Sequence, residues 1–305
     1  MDPSASIAAG QGLPPAEVPV GATAASRAQR ASARRERLIV LVRRPAFIIG
    51  NIVVIGWIIT AILGERITPY DPFNYFTGGH LPPSPEHLMG TDRLGRDVLS
   101  RVMVGSRDVL LFAPLAAMLG VAAGTVLGLV MGYYRGTIDD VLSRIVEAFL
   151  ALPVVLVALL TLVVLGTSPL VVVCVVGILF TPIVARTVRS AVLSERQLDY
   201  VTAAKLRGES GPFILTREIF PNVLGPTVVE MTVRFGYAIF TIATLSFLGV
   251  GIQPPSADWG LTVSQEYNNM ISGAWWPTLF PALAIASVVV AVNLIADSLQ
   301  SVLNE

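Results

Sequence analysis

Residues 199–226 read DYVTAAKLRGESGPFILTREIFPNVLGP, the one polar, helix-prone stretch between the long apolar segments of the second half of the chain. Tyr200 to Leu206 lack Gly and Pro, and the spacing of Val201, Ala204 and Leu206 predicts that they share part of one helical face. Gly208 follows where a C′ glycine would end such a helix. Gly211-Pro212 extends the break, Phe213 to Phe220 supplies a second amphipathic turn, and Pro221 stops it. The pattern predicts a helix–turn–helix outside the bilayer, made to be held by something else. The alternative is a plain solvated loop between two membrane helices.

Composition puts a membrane around this stretch. Of 305 residues 53% are hydrophobic and 14% charged, with mean hydropathy +0.69, where a soluble domain carries about 25% charged residues. Cys174, the only cysteine, lies in an apolar run and reads as a packing residue. Lys205 is the only lysine, and no Gly-x-x-x-x-Gly precedes it. A phosphate-binding Walker loop needs such a lysine, so any ATP used must be bound by another chain. No metalloprotease or hydrolase signature is present either, and the sequence assigns no catalytic residue.

Outward from the stretch, six spans are expected: 46–64, 109–132, 145–166, 170–188, 223–247 and 278–295. Pro114, Pro153, Pro182 and Pro226 lie in or at the ends of these spans, where neighbouring groups can re-satisfy the backbone. Residues 1–37 are Ala-, Pro- and Arg-rich and expected to be disordered. The organisation read from this is a cytoplasmic tail 1–37, a first membrane helix within 38–64, an outer loop 65–108, and a permease core 109–305 that includes the loop 199–221. If the N-terminus is cytoplasmic, the inside segments hold 15 Lys and Arg and the outside segments five. That bias puts both termini and the 199–226 loop in the cytoplasm. The Arg cluster before the first span then reads as a topological anchor and not a nucleic-acid site.

In the outer loop, His80 and His87 are seven apart with no carboxylate–histidine cluster, which argues against a metal site. Gly90 to Arg101 reads GTDRLGRDVLSR; Thr91 or Asp92 is positioned to cap a helix there, with Asp97 and Arg101 as i,i+4 partners. Within the fifth span, Glu230 and Arg234 are also i,i+4 and would be costly facing lipid. They are read as an intrahelical pair or as groups facing a translocation path.

These motifs together resemble a known family. Ala203-Ala204, then Gly208 four residues on and Pro221 thirteen beyond it, resemble the "EAA" loop of ABC-importer permeases, with Thr202 where the family often has an acid. GTDRLGRDVLSR resembles the signature of the dipeptide/oligopeptide/nickel branch, in particular its C-type subunit. Gly132-Tyr133-Tyr134-Arg135-Gly136 with Ala151-Leu152-Pro153 continues the pattern, although Glu147 stands where aspartate is common. Leu245 to Gly251 with Gln253-Pro254-Pro255 and Asp258-Trp259-Gly260, then Trp275-Trp276 and Asn293-Leu294, complete it across roughly residues 45–303.

The resemblance implies an all-α, six-helix permease of type I importer architecture. Tyr200, Thr202, Ala203, Ala204, Lys205, Leu206, Gly208 and Pro221 would form the segment coupled to an ATPase. Gly90, Thr91, Asp92, Gly95, Arg96, Asp97, Gln253, Asp258 and Trp259 would lie on the binding-protein side. It further implies a second, B-type permease, one or two ABC ATPase subunits that bind ATP-Mg, an extracytoplasmic substrate-binding protein, and membrane lipid, with no cofactor in this chain and no nucleic acid. A stand-alone ion-coupled transporter is the alternative; it would show internal repeats and acidic residues near mid-membrane.

Overall fold

The computed structural model describes residues 41–75 and 78–304; the expected tail, 1–37, lies outside them. The chain divides into two units, Met1–Arg43 and Arg44–Glu305, and every element below belongs to the second. That unit is helical, with no strand among the described residues and one isolated backbone bridge between Thr91 and Asp97.

Five helices are long and apolar enough to cross a membrane. They are α1 (Pro45–Ile67), α2 (Val98–Tyr134), α5 (Pro169–Glu195), α7 (Gly211–Phe247) and α9 (Trp276–Asn304). Pro114, Pro182 and Pro226 sit inside α2, α5 and α7 without ending them. Pro153 does end its helix. The expected third span is two helices, α3 (Thr137–Leu150) and α4 (Val154–Leu165), bent by 87° at the break. Pro153 stands at the N-cap of α4 with φ −62°, and a residue before proline is pushed from the α region. The 12 residues of α4 rise about 18 Å, short of the roughly 30 Å of a hydrocarbon core. α3 carries Asp139, Asp140, Arg144 and Glu147, so neither helix is long and apolar enough to cross alone, and the pair counts as a sixth span only if the two are one broken crossing.

The centre of the unit is the seam between α2 and α5, which pack along most of their length. Gly120, Gly124, Gly128 and Gly132 recur every four residues on α2 and so fall on one face. A Cβ added at Gly124 would lie 2.6 Å from Cβ of Val184, and one at Gly128 2.7 Å from the carbonyl oxygen of Ala185. Without side chains in the way the backbones close up, as small residues allow in membranes where no hydrophobic drive exists between helices. Val98, Ala113, Val176, Phe180, Ile239, Trp259 and Val288 extend this seam into a core shared with α7, α9 and the short α8 (Trp259–Glu266).

At one end of α2, the loops 68–97 and 248–275 are knitted together. At the other, the short α6 (Asp199–Leu206) lies against the lower ends of α5 and α7. With 37 residues, α2 runs about 55 Å between these two ends.

Candidate functional site

At the α6 end, the expected first helix and its turn are present, but Pro221 does not stop the second helix: it lies inside α7, which runs from Gly211 to Phe247 without a break. Leu198 precedes α6 in extended conformation, and the helix closes with paired bonds from Gly208 N to the Lys205 carbonyl (3.0 Å) and from Glu209 N to the Ala204 carbonyl (3.2 Å). This is the Schellman arrangement. It requires positive φ, and Gly208 has φ +78°. The chain then enters α7 through one π-helical segment, Ile214–Ile219, a form often found at functional positions.

Burial divides the loop differently from the sequence expectation. Val201 and Ala204 are sealed against Ile214, Ile219, Val188 and Val192, so Ala204 belongs to the protein's own interior. Leu206 is not on that face: it is 85% exposed, because 100° per residue turns position 206 well away from 204. Thr202, Ala203, Lys205, Leu206, Gly208 and Pro221 are exposed, and space around Gly208 is open. The outward face of α6 therefore carries Thr202 and Ala203 with one bare leucine, flanked by the charged Asp199 and Lys205.

Tyr200 anchors the loop. Its hydroxyl donates to Glu195 Oε2 (2.7 Å) and accepts from Asn222 Nδ2 (3.2 Å), joining α5, α6 and α7. Burial, and then the bond to Glu195, push the phenol up to about 12, so it stays a donor. Lys205 Nζ and Arg196 Cζ lie 5.7 and 6.0 Å from the Tyr133 ring centre, within cation–π range.

At the opposite end, the GTDRLGRD segment is packed inward. Asp92 does not cap a helix: its Oδ1 accepts from Leu94 N and Arg96 N (2.9 Å each) and its Oδ2 from Arg96 Nε (2.6 Å). A carboxylate bonded to backbone two residues on makes an Asx turn, which Gly95 completes with φ +75°. Thr91 does not cap it either; its hydroxyl accepts from Leu81 N (2.8 Å) and donates to the Gly78 carbonyl (3.2 Å). Asp97 is the N-cap of α2, its Oδ2 accepting from Ser100 N at 2.8 Å. The expected Asp97–Arg101 pair is likewise replaced. Arg101, almost fully buried, donates to the carbonyls of Pro72 and Ser256 (3.3 Å each) and lies 3.7 Å from Asp92. Gly90 approaches the Trp276 ring so closely that a Cβ would sit 2.6 Å from its Nε1.

The 248–275 loop completes this cap. Asp258 holds the first turn of α8 through Leu261 N (2.8 Å), and burial pushes its carboxyl up to about 6. Trp259, fully buried, donates to the Val102 carbonyl (2.9 Å) and meets Trp57 edge-on at 4.8 Å. Gln253 donates to the carbonyls of Gly249 and Gly251. Sequence reasoning missed the keystone. Glu266, 1% exposed, lies 3.1 Å from His80 Nε2 and accepts from Arg93 N (3.3 Å) and Asn269 Nδ2 (3.0 Å), tying one loop to the other. The other histidine has a different carboxylate, His87 Nδ1 lying 2.9 Å from Asp97. No short-range spacing marks a contact between positions 80 and 266.

Between the ends, Arg234 donates to Glu230 (3.0 Å), and Thr187 of α5 donates to the other carboxylate oxygen (2.9 Å). The guanidinium lies 4.8 Å from the Tyr237 ring centre. A second pair escaped the sequence: Arg189 of α5 grips Asp139 of α3 with two bonds of 2.6 and 2.7 Å. Such bidentate geometry is the stronger kind of ion pair.

An interlocked cap, a glycine-packed core of membrane-length helices and a short helix presented outside it together define a multi-pass membrane protein. Residues 124–305 match the family described as the binding-protein-dependent transport system inner membrane component, and the chain belongs to that family. It is 40% identical over 253 residues to the glutathione transport system permease protein of Escherichia coli (82% of this chain, 83% of the relative). It is 36% identical over 264 residues to that of Pectobacterium atrosepticum (86% and 87%). It is 35% identical over 256 residues to the dipeptide transport system permease protein of Bacillus subtilis (84% and 80%). These relatives bear out the resemblance to C-type permeases of the dipeptide/oligopeptide/nickel branch, and the protein is a multi-pass component of the bacterial inner membrane.

Proposed function

We propose that the chain is one of two permease subunits of an ATP-driven, binding-protein-dependent importer of di- or oligopeptides or related small solutes. Both termini lie in the cytoplasm, and α3 with α4 makes the sixth crossing. A B-type permease supplies the other half of the path, one or two ABC ATPases bind ATP-Mg and grip α6, and an extracytoplasmic binding protein delivers solute to the cap formed by residues 68–97 and 248–275. Peptide-like cargo is suggested by relatives named for dipeptide and glutathione transport.

The observation that carries this reading is α6 itself. A helix of eight residues is too short to be stable alone, yet this one is pinned from inside by Val201, Ala204 and Tyr200 while Ala203, Leu206 and Gly208 stay bare. Small side chains let it sit close in a protein cleft, and the pinning lets a push there reach α5 and α7. An ion-gradient transporter finds less support, because Glu230 is already engaged by Arg234 and Thr187.

The test is affinity purification of the tagged chain from gently solubilised membranes. Recovery of a second permease and Walker-motif ATPases is expected. Recovery of this chain alone, still folded and moving solute without ATP, would overturn the reading.

A further inference from the structure

We propose that the cleft between α1 and α2 is a binding site for one anionic phospholipid, in the leaflet on the side of the 68–97 loop. The two helices approach at Gly64, where an added Cβ would lie 3.6 Å from Val104 Cα, and a groove of about 640 Å³ is lined by residues of both around this point. Its walls are Ile58, Ala61 and Ile62 of α1 with Leu110 and Leu111 of α2. Apart from Gly50 and Gly64, none of the residues of α1 is fully buried in the described chain; Ile58, Ile62 and Leu111 are exposed, and an acyl chain is what fills such a groove in a bilayer.

The rim of the groove selects the headgroup. Arg66 and Arg107 both line it, together with Glu65. Glu65 reaches Arg107 only at 3.8 Å, and both side chains are more than two-thirds exposed, so this pair is worth little. Arg66, in the last turn of α1, has no hydrogen-bond or ion-pair partner among the described residues. Two guanidiniums against one carboxylate leave a positive site at the level where the apolar wall ends. A guanidinium presents a fork of donors that matches phosphate oxygens, and that match does not depend on which leaflet carries the headgroup. A zwitterionic lipid brings its own cation to the same place and gains less. The site stands on the chain's membrane location and does not need the importer reading.

The experiment uses the full-length chain, purified with whatever subunits accompany it, in phosphatidylcholine nanodiscs containing a minor fraction of phosphatidylglycerol, with retained lipid counted by native mass spectrometry. Phosphatidylglycerol is expected to be enriched over phosphatidylcholine, and roughly fivefold of that enrichment should be lost for each of Arg66→Gln and Arg107→Gln, the worth of about one arginine near a headgroup. Ala61→Trp fills the groove floor with both charges intact and should displace the lipid as well. Glycerol phosphate alone, lacking the acyl chain, should not compete. Equal retention of the two lipids by the unaltered protein, unchanged retention in the double arginine variant, or full competition by glycerol phosphate would each overturn the proposal. The first and last of these are read on unaltered protein, so a variant that misfolds does not protect the idea.

Discussion

Asp258 shows how much can hang on a single side chain in the cap. Its carboxyl is held near 6, against 3.8 when exposed, because burial penalises the charge. The folded protein therefore binds more protons than the unfolded chain between pH 4 and 6, and stability falls as pH rises through that window. The penalty is absent below pH 4 and complete above 6, on the order of 3 kcal/mol for a shift of about two units. Asp258→Asn keeps an oxygen for the Leu261 amide and removes the charge. Thermal unfolding in detergent should show this variant more stable than the parent at pH 7.5 and no more stable at pH 4; equal melting at both values would contradict the account. The sequence grouped Asp258 and Trp259 with the GTDRLGRD segment, but could not show that the Asp258 carboxylate faces inward. Glu266 was lost to sequence reading for a related reason: its partners, His80 and Arg93, come from a loop more than 170 residues earlier.

At the scale of the element, the seam of α2 against α5 makes the sharpest prediction. Gly124→Leu and Gly128→Leu drive a side chain into Val184 or the Ala185 carbonyl, which costs at least about 1–3 kcal/mol as overpacking and more if the helices separate. Gly56→Leu on α1, where an added Cβ meets nothing within 4 Å, is the control and should melt like the parent. The helices themselves were legible, since long uncharged runs have no other stable home. The bend at Pro153 was not, because prolines at 114, 182 and 226 pass through helices intact. What separates Pro153 is its neighbourhood: a charged α3 before it and too few apolar residues after it to cross on their own.

The whole molecule is tested through α6. Leu206→Asp and Gly208→Asp change only its exposed face and its C-terminal turn, so membrane insertion should be preserved and ATP-dependent uptake reduced by tenfold or more at matched protein level. Gly208→Asp also forces a side chain into φ +78°, which makes Leu206→Asp the cleaner variant. Ala204→Trp should instead lower the amount of folded protein, because Ala204 is interior. Normal uptake by Leu206→Asp would remove α6 from the coupling path. Deleting residues 2–25 should leave uptake intact, measured the same way. The Ala-Ala-x-x-x-Gly spacing made this loop readable from sequence, yet it could not say which alanine looks inward; that depends on where α5 and α7 deliver their valines and isoleucines.

The four-residue glycine rhythm on α2 also restricts how the protein can change shape. Each notch on one helix receives a specific valine or carbonyl of the other, so the next matching register is four residues away, about 6 Å along the axis. Small sliding steps are closed to this pair, and α2 with α5 must travel as one solid piece. Any change between inward and outward states then has to be absorbed elsewhere, at corners such as Gly136 and the Pro153 bend. Spin labels placed across the seam should report one unvarying separation through the entire working cycle, while labels across those corners should not.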